Sequence, residues 1–327
     1  MKMARRRAGP SEAGFAVTLV AATFLMGSSF VAGKILLVDG FPPVLLVGWR
    51  FFAAAAAALP LVVLTRSRRR ADARRSAIRP RDAALVVVIG LLQTGAVMGL
   101  LFLAMQTVSA SVAAILLFTN PVWVALLSRL FLGEPLHGVR VAGLGLGVAG
   151  VALAVGPGAG AVPGTLTGEW LGLAAALCWA AATVIHKRAA LPLNAWSLSF
   201  WQMLIGSLAL LALAYGRGEH WPPAVTPAQW GCFLWLAVPA STGSFGLWFI
   251  ALRKGGAVQA SGYLFLAPVF AMVLSFCILG VGITWLQTLG GALVALALWL
   301  VTRAGGSPSK GDGTQAESCR SSRSSTW

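Results

Sequence analysis

Residues 102–133 read FLAMQTVSASVAAILLFTNPVWVALLSRLFLG, and residues 249–280 read FIALRKGGAVQASGYLFLAPVFAMVLSFCILG. The two stretches align without a gap at an offset of 147. The matching pairs are Phe102/Phe249, Ala104/Ala251, Ala110/Ala257, Ala113/Ala260, Pro121/Pro268, Val122/Val269, Leu132/Leu279 and Gly133/Gly280. Apolar helices resemble one another by composition, but a constant offset that also matches proline and glycine indicates an internal repeat.

Composition places these repeats in a membrane. The chain has 327 residues, of which 58% are hydrophobic and 10% charged, whereas a soluble domain is about a quarter charged. Ten apolar segments of about membrane-spanning length can be marked. They cover residues 14–37, 42–64, 83–104, 109–131, 139–156, 169–188, 194–215, 228–250, 259–280 and 284–303. The sequence therefore predicts an all-α integral membrane protein with ten transmembrane helices.

The repeat divides these spans into two groups of five. Lys34/Lys187 and Trp49/Trp201 extend the match upstream, at offsets of 153 and 152 that differ as loop lengths require. Because five is odd, the second copy must be inverted relative to the first, and such repeats place the substrate near the midplane. We expect repeats at 14–156 and 169–303, a cytoplasmic tail at 1–13, and a disordered, Gly/Ser-rich cytoplasmic tail at 304–327.

The basic residues predict the orientation. With the N-terminus inside, 22 of the 25 Lys and Arg residues lie on the inner side or near it, so both termini are expected in the cytoplasm and the protein in the cell membrane. The net charge of +16 sits in tails and short loops, so no nucleic-acid partner is expected. Eight of the arginines fall between residues 66 and 81. They form a solvated orienting loop, with contact to anionic lipid as the alternative.

Several motifs resemble a known family. The positions of Lys34 and Arg50, the stretch from Asn120-Pro121-Val122 to Gly133-Glu134-Pro135, and its echo at Ala267-Pro268-Val269 are similar to the EamA-type branch of the drug/metabolite transporter superfamily. The resemblance covers about residues 14–303. It implies a ten-helix secondary transporter, often an exporter of amino acids or other small metabolites.

The chain departs from that pattern at two places. Gly280-Val281 stands where such repeats commonly carry Gly-Glu, and Met26 stands where a Trp often precedes the glycine of the first span. The second repeat keeps a Trp at the equivalent position, Trp179. Both departures leave the expected fold intact.

Three charges, Lys34, Arg50 and Glu134, are expected to be structural. Arg50 lies within the second span, where a guanidinium needs a partner. We expect it to pair with helix carbonyls or Asp39, with a substrate carboxylate or snorkelling to the interface as alternatives. Glu134 ends the fourth span, and proton coupling is the alternative to pairing with a basic neighbour. The candidate neighbours are Arg129, Arg140 and His137.

Pro121 and Pro268 occupy matching positions in the fourth and ninth spans. Each lacks an amide donor, which frees the carbonyl four residues earlier, at Leu117 and Leu264. Such carbonyls can line a cavity or mark a hinge, and a static kink is the other interpretation. We therefore name the two prolines as candidate hinges.

Polar and aromatic side chains within the spans are the candidates for binding a small-molecule substrate. The predicted set is Ser28, Gln93, Asn120, Trp123, Trp179, Ser244, Trp248 and Tyr263. No catalytic residue, metal site or cofactor is expected. The function predicted is a secondary metabolite transporter working by alternating access, an exporter or facilitator of amino acids or related solutes. Multidrug or nucleotide-sugar transport is the alternative, and a membrane enzyme or scaffold a distant one.

Small residues at a spacing of four, Gly95/Gly99 and Gly143/Gly147, predict close helix packing. The fifth and tenth spans are rich in Gly and Ala. This leaves open a homodimer contact as well as packing within one chain.

Overall fold

The computed structural model describes residues 12–69, 79–104, 116–136, 138–155, 166–279 and 284–303. Within them every regular element is helical. The unbroken helices are α1 (Glu12–Val38), α2 (Pro43–Arg69), α4 (Asn120–Phe131), α5 (Gly138–Val155), α6 (Leu166–Ala189), α7 (Ala195–Gly216) and α10 (Trp285–Arg303). The other three change helix type along their length.

Two of those three helices contain a π-helical turn. Helix α3 consists of Pro80–Gly90, the π segment Leu91–Ala96 and Val97–Ala104. Helix α8 consists of Pro227–Ala237, the π segment Val238–Gly243 and Ser244–Lys254. Helix α9 consists of Ala257–Gly262, a 3₁₀ turn at Tyr263–Phe265, and Leu266–Leu279.

The membrane character of the chain is confirmed at the level of its helices. By length and composition, seven helical stretches among the described residues could span a bilayer. They are Ala13–Val38, Pro43–Thr65, Pro80–Ala104, Leu166–Ala189, Ala195–Gly216, Pro227–Lys254 and Ala257–Ile278. Shorter apolar helices lie at Gly138–Leu153 and Thr288–Val301. Residues 109–115 of the predicted fourth span, residues 1–11 of the predicted N-terminal tail and the whole predicted tail 304–327 lie outside the described residues.

The surface agrees with a lipid environment. Large apolar side chains stay exposed on many helices, among them Val17, Leu64, Leu130, Trp170 and Trp285. Apolar patches of this extent are unusual on a soluble monomer and are expected where lipid is the solvent.

Equivalent helices of the two repeats make equivalent packing contacts. Helix α1 packs against α8 and α9, and its counterpart α6 packs against α3 and α4. Helix α2 packs against its counterpart α7, and α5 against α10. The π segments follow the same rule, since Leu91 and Val238 are separated by the offset of 147 found in the sequence. The repeat is therefore present in helix geometry as well as in residue identity.

The α5–α10 contact accounts for the small residues of these two helices. A Cβ atom on Gly150 would lie 2.9 Å from the Gly290 carbonyl oxygen, and one on Gly143 would lie 3.0 Å from Val301. The predicted close packing at Gly143/Gly147 is thus found within one chain. The prediction was wrong for Gly95, whose added Cβ would meet its nearest neighbour at an ordinary 3.8 Å.

Caps set the ends of several helices. Gly133 has a φ of +69°, and the Glu134 amide donates back to the Ser128 carbonyl at 3.3 Å, so the glycine ends α4 in a left-handed turn. Thr226 and Gln229 form a capping box at the start of α8. Gln229 also donates to the Asp39 carboxylate at 2.7 Å, which ties the α1–α2 turn to α8.

Candidate functional site

The candidate site is built around two tryptophans that face each other between α6 and α8. Trp179 and Trp248 have ring centroids 6.5 Å apart, in an edge-to-face arrangement. Trp248 is fully buried and Trp179 is 8% exposed. Such pairs are favourable beyond the area they bury, so the two rings fix each other's orientation.

Asn120 and Ser244 lie beside this pair. Asn120, at the start of α4, donates to the carbonyl of Ala176, which lies one turn before Trp179 on α6, at 3.1 Å. Ser244 precedes Trp248 by about one turn of α8 and donates to the Ala240 carbonyl at 2.6 Å. We call Asn120, Trp179, Ser244 and Trp248 the tryptophan site. It combines α4 of the first repeat with α6 and α8 of the second.

Three polar atoms of the tryptophan site have no hydrogen-bond partner among the described residues. They are Nε1 of Trp179, Nε1 of Trp248 and Oδ1 of Asn120. A buried donor or acceptor left unpaired costs about 1–3 kcal/mol, and most such atoms in folded proteins are paired. Two donors and an acceptor therefore remain available to a ligand or to water.

Gln93 adds a further unpaired group. It lies in the π segment of α3, which packs against α6 and α7, and it is 1% exposed. Neither its amide nitrogen nor its amide oxygen has a partner in the described part of the chain. Gln93 is therefore buried with unpaired polar atoms, as the residues of the tryptophan site are.

The other predicted site residues lie elsewhere. Ser28 accepts from Trp235 Nε1 at 3.0 Å. Trp123 is half-buried and donates to Thr119 Oγ1 at 3.2 Å. Tyr263 packs edge-on against Phe15 near the start of α1. The described contacts do not join these three residues to the tryptophan site.

Arg50 is held by a partner that the sequence did not suggest. Its Nε donates to Ser241 Oγ at 2.8 Å, and its guanidinium carbon lies 5.0 Å from the Phe51 ring centroid. Neither expected partner, a helix carbonyl or Asp39, is found among the described Arg50 contacts, and the Asp39 carboxylate accepts from Gln229 instead. Ser241 in turn donates to the Leu236 carbonyl at 2.8 Å.

The second repeat carries the counterpart of this bond. Gln202 stands where Arg50 stands in the first repeat, at the offset of 152 set by Trp49/Trp201. Its amide oxygen accepts a short hydrogen bond from Thr94, which is the counterpart of Ser241. Thr242, the residue after Ser241, also donates to the Ala54 carbonyl of α2 at 2.7 Å. Each π segment is therefore fastened to the opposite repeat by side-chain bonds, and among these bonds that of Arg50 involves a charge.

Glu134 is a helix cap in the structure. Its carboxylate accepts from the amides of Ala257 at 3.0 Å and Val258 at 3.4 Å, at the start of α9. The expected pairing with a basic neighbour is replaced by these amides, because Gly133 turns the chain toward α9. Arg140 instead donates to the Pro135 carbonyl at 2.9 Å, and His137 lies outside the described residues.

The lysines Lys34 and Lys187, which match in the repeat, differ in the structure. Lys187 donates to the carbonyls of Leu252, at 2.9 Å, and Gly255. It thus holds the end of α8 close to the α9 start that Glu134 caps. Lys34 is exposed, and residues 105–115, where the equivalent carbonyls of the first repeat would be, are not described.

The prolines adjoin helix breaks. Pro121 lies in the first turn of α4, after a turn at residues 118–119, rather than inside a continuous helix as expected. Pro268 lies in the first turn of Leu266–Leu279, directly after the 3₁₀ turn of α9. A first turn needs no amide donor from proline, so both helices are interrupted just before the proline.

Comparison with known proteins identifies the family. The EamA-like transporter family matches residues 14–156 and again residues 166–303. The chain belongs to the EamA-like transporter family. The family resemblance predicted from the sequence is confirmed.

The chain also resembles individual known proteins. An uncharacterized transporter of Synechocystis is 26% identical, over 88% of this chain and 89% of its own length. Protein PecM of Dickeya dadantii is 30% identical, over 65% of this chain and 72% of its own length. A protein crystal structure matches with a TM-score of 0.70 at 21% identity, covering 88% of this chain and 98% of its own. The chain is thus a membrane transporter of small solutes.

Proposed function

We propose that this EamA-like protein is a secondary transporter that exports or facilitates the passage of amino acids or related metabolites. The supporting observation is the tryptophan site, where buried donors and an acceptor from both repeats remain unpaired. A solute that bonds them would replace an unfavourable arrangement with a satisfied one. This gives the site a binding free energy independent of apolar contact.

The transport mechanism proposed is alternating access between two inverted five-helix repeats. Support comes from the packing pattern, in which each repeat contacts the other through equivalent helices. The paired breaks before Pro121 and Pro268 provide equivalent candidate hinges. In this proposal α4, α5 and α10 are spans as well as the seven long stretches, which makes ten. Each repeat then has five spans, and because five is odd the second repeat has the opposite orientation in the membrane.

Coupling to protons through a buried carboxylate is not part of this proposal. The side-chain bonds formed by acidic residues lie at helix ends: Asp39 binds Gln229, Glu134 caps α9, and Glu219 accepts from the Leu45 amide at the start of α2. Exchange or facilitated diffusion fits this distribution better than a carboxylate relay.

The experiment compares wild-type protein with Trp179→Phe and Trp248→Phe in proteoliposomes. Radiolabelled L-amino acids are tested one at a time, with the cationic dye ethidium as a probe of multidrug transport. Each substitution keeps an aromatic ring and removes the unpaired N–H. For a transported amino acid we expect at least about a tenfold fall in rate, the equivalent of about 1.4 kcal/mol.

Thermal unfolding in detergent is the control, and Trp123→Phe, whose indole already has a partner, is the matched variant. Removing an unpaired buried donor relieves its desolvation cost, but the smaller Phe ring leaves a cavity, so a rate is compared only for a variant that remains folded at the assay temperature. Unchanged transport in both Trp179→Phe and Trp248→Phe would refute the proposed site. Transport of ethidium without any amino acid would favour the multidrug alternative.

A further inference from the structure

A groove opens where α3 begins and α6 ends, and its α6 residues follow Trp179 by about 9–15 Å along the helix axis. It has a volume of about 220 Å³ and is lined by Arg81 and Leu85 of α3 and by Ile185, Arg188 and Ala189 of α6. Two of the five lining residues are cationic and the other three apolar, so the groove has both a charged and a hydrophobic part.

These two parts are ordered along the direction of the spans. Leu85 follows Arg81 by four residues, which places it about 6 Å deeper along α3. Helix α6 runs the opposite way, and Ile185 precedes Arg188 by three residues, which places it about 4.5 Å deeper. Both helices thus put a guanidinium at the mouth and an aliphatic side chain one turn further into the bundle.

The two arginines are available to an anion. Arg188 uses Nη1 to donate to the Phe131 carbonyl at 2.8 Å, which anchors its guanidinium and leaves other donors of the fork for a ligand. Arg81 is exposed. Neither groove arginine has a carboxylate of the described residues within 4.0 Å, since the ion pair found at that distance joins Arg217 and Glu219.

One acid lies close in sequence, Asp82. It sits in the first turn of α3, about 100° around the helix from Arg81. It is absent from the groove lining. The groove therefore keeps a net positive mouth above an apolar floor.

We propose that this groove binds a phospholipid with an anionic headgroup, from the leaflet on the side where α3 begins. Its phosphate lies between Arg81 and Arg188, and an acyl chain runs along Leu85 and Ile185. Guanidinium groups form paired hydrogen bonds with phosphate oxygens, and basic sites between transmembrane helices suit acidic lipid headgroups. The arrangement specifies an amphiphile, because a free phosphate would leave the apolar floor unused.

Native mass spectrometry of the full chain in detergent tests this proposal. The protein is incubated with phosphatidylglycerol or with phosphatidylcholine, and the lipid-bound fraction is measured. We expect phosphatidylglycerol to be retained at least about fivefold better by the wild-type protein. Arg81→Gln/Arg188→Gln should lose this preference, whereas Lys34→Gln/Lys254→Gln, which also removes two exposed cations, should keep it.

A second variant separates a shaped groove from diffuse attraction. Ala189→Trp fills the groove and leaves its charge unchanged, so we expect it to lose bound phosphatidylglycerol as well. If the double arginine variant does not give folded monomer, Ala189→Trp and Arg81→Gln carry the test. Undiminished binding in Ala189→Trp would overturn the proposal.

Two other occupants are distinguished in the same spectra. Glycerol 3-phosphate has the headgroup chemistry without acyl chains, and equal retention of it would overturn the proposal. A dimer in the wild type that is lost in Ala189→Trp would overturn it too, because the groove would then hold a second copy. Loss of lipid binding with unaltered transport is compatible with the proposed function, so the two proposals can fail separately.

Discussion

Arg50 is a charged residue that links the two repeats inside the helix bundle. It donates to a neutral serine that belongs to a π segment of the other repeat, and it lies near the Phe51 ring. The planar guanidinium donates from Nε and presents a flat face at the same time, whereas the Lys ammonium is a compact point charge. Arg50 is thus suited to its place by shape as well as by charge.

We expect Arg50→Lys to destabilise the protein by about 1.5–3 kcal/mol, the usual contribution of a hydrogen bond to a charged group. Thermal unfolding in detergent, combined with Ser241→Ala in a double-mutant cycle, measures it. If the bond carries the effect, the double variant should be little worse than either single one. Arg217→Lys, at an exposed ion pair, is the control and should change stability by less than about 0.5 kcal/mol. Strict additivity would contradict this role.

Residue-level reasoning from the sequence found the right side chains more readily than their partners. Asn120, Trp179 and Trp248 stood out because polar groups within spans are rare. Their meeting across α4, α6 and α8 depends on helix rotation, which a single sequence does not specify. Arg50 was expected to pair with helix carbonyls or Asp39, and a neutral hydroxyl such as that of Ser241 was not among its candidate partners.

Among the helices, the crossing of α3 and α7 is a close approach that the sequence did not indicate. A Cβ atom on Gly206 would collide with the Thr94 side chain and would lie 2.8 Å from the Gly90 carbonyl oxygen. That oxygen belongs to the backbone just before the π segment of α3. The two helices can approach this closely only because Gly206 has no side chain.

Gly206→Ala should therefore destabilise the protein by about 1–3 kcal/mol, the usual cost of overpacking a core. Gly95→Ala, on the same pair of helices, is the matched control, since its Cβ would meet ordinary contacts at 3.8 Å. Unfolding temperatures of the two variants in the same detergent provide the measurement. Equal effects would show that the crossing is looser than described.

The π segments explain why this crossing was missed. Their sequences are LLQTGA in α3 and VPASTG in α8. The two sequences have no proline or glycine at a common position, so no shared residue predicts the wider turn. A π turn contains an extra residue, so it rotates everything beyond it relative to a regular helix. Gly90 lies five residues before Gly95, across the π segment, so a search at spacings of four does not join them. Gly95 and Gly99 face α7 at ordinary distances of 3.8 and 3.7 Å, whereas the tight contacts lie at Gly90 and Gly206.

For the whole molecule, the charge distribution makes the orientation testable. In a variant lacking the four native cysteines, His220→Cys should react with a membrane-impermeant maleimide in intact cells. Lys254→Cys should react only after the membrane is permeabilised. Both positions are exposed, so a difference reports the side of the membrane. The reverse pattern would contradict cytoplasmic termini.

The whole-molecule architecture was the most predictable level. The constant offset, the apolar segments and the family resemblance all pointed to a repeated helical membrane protein. The family matches both halves of the chain, and seven helical stretches among the described residues are long enough to span a bilayer. The charge at the groove between α3 and α6 could not be foreseen, since Arg81 and Arg188 are more than 100 positions apart. Sequence shows that both are basic, but only packing shows that they share one opening.

The matching positions of the two π segments bear on how the repeats evolved. An extra residue in a helical turn corresponds to an insertion in the gene, and here it occurs in both halves at one register, separated by 147 positions. One insertion copied by a later duplication is a simpler history than two independent insertions at the same place. On this account the ancestral five-helix protein already carried the widened turn. Comparing other two-repeat relatives for a π turn at both positions would date the insertion against the duplication.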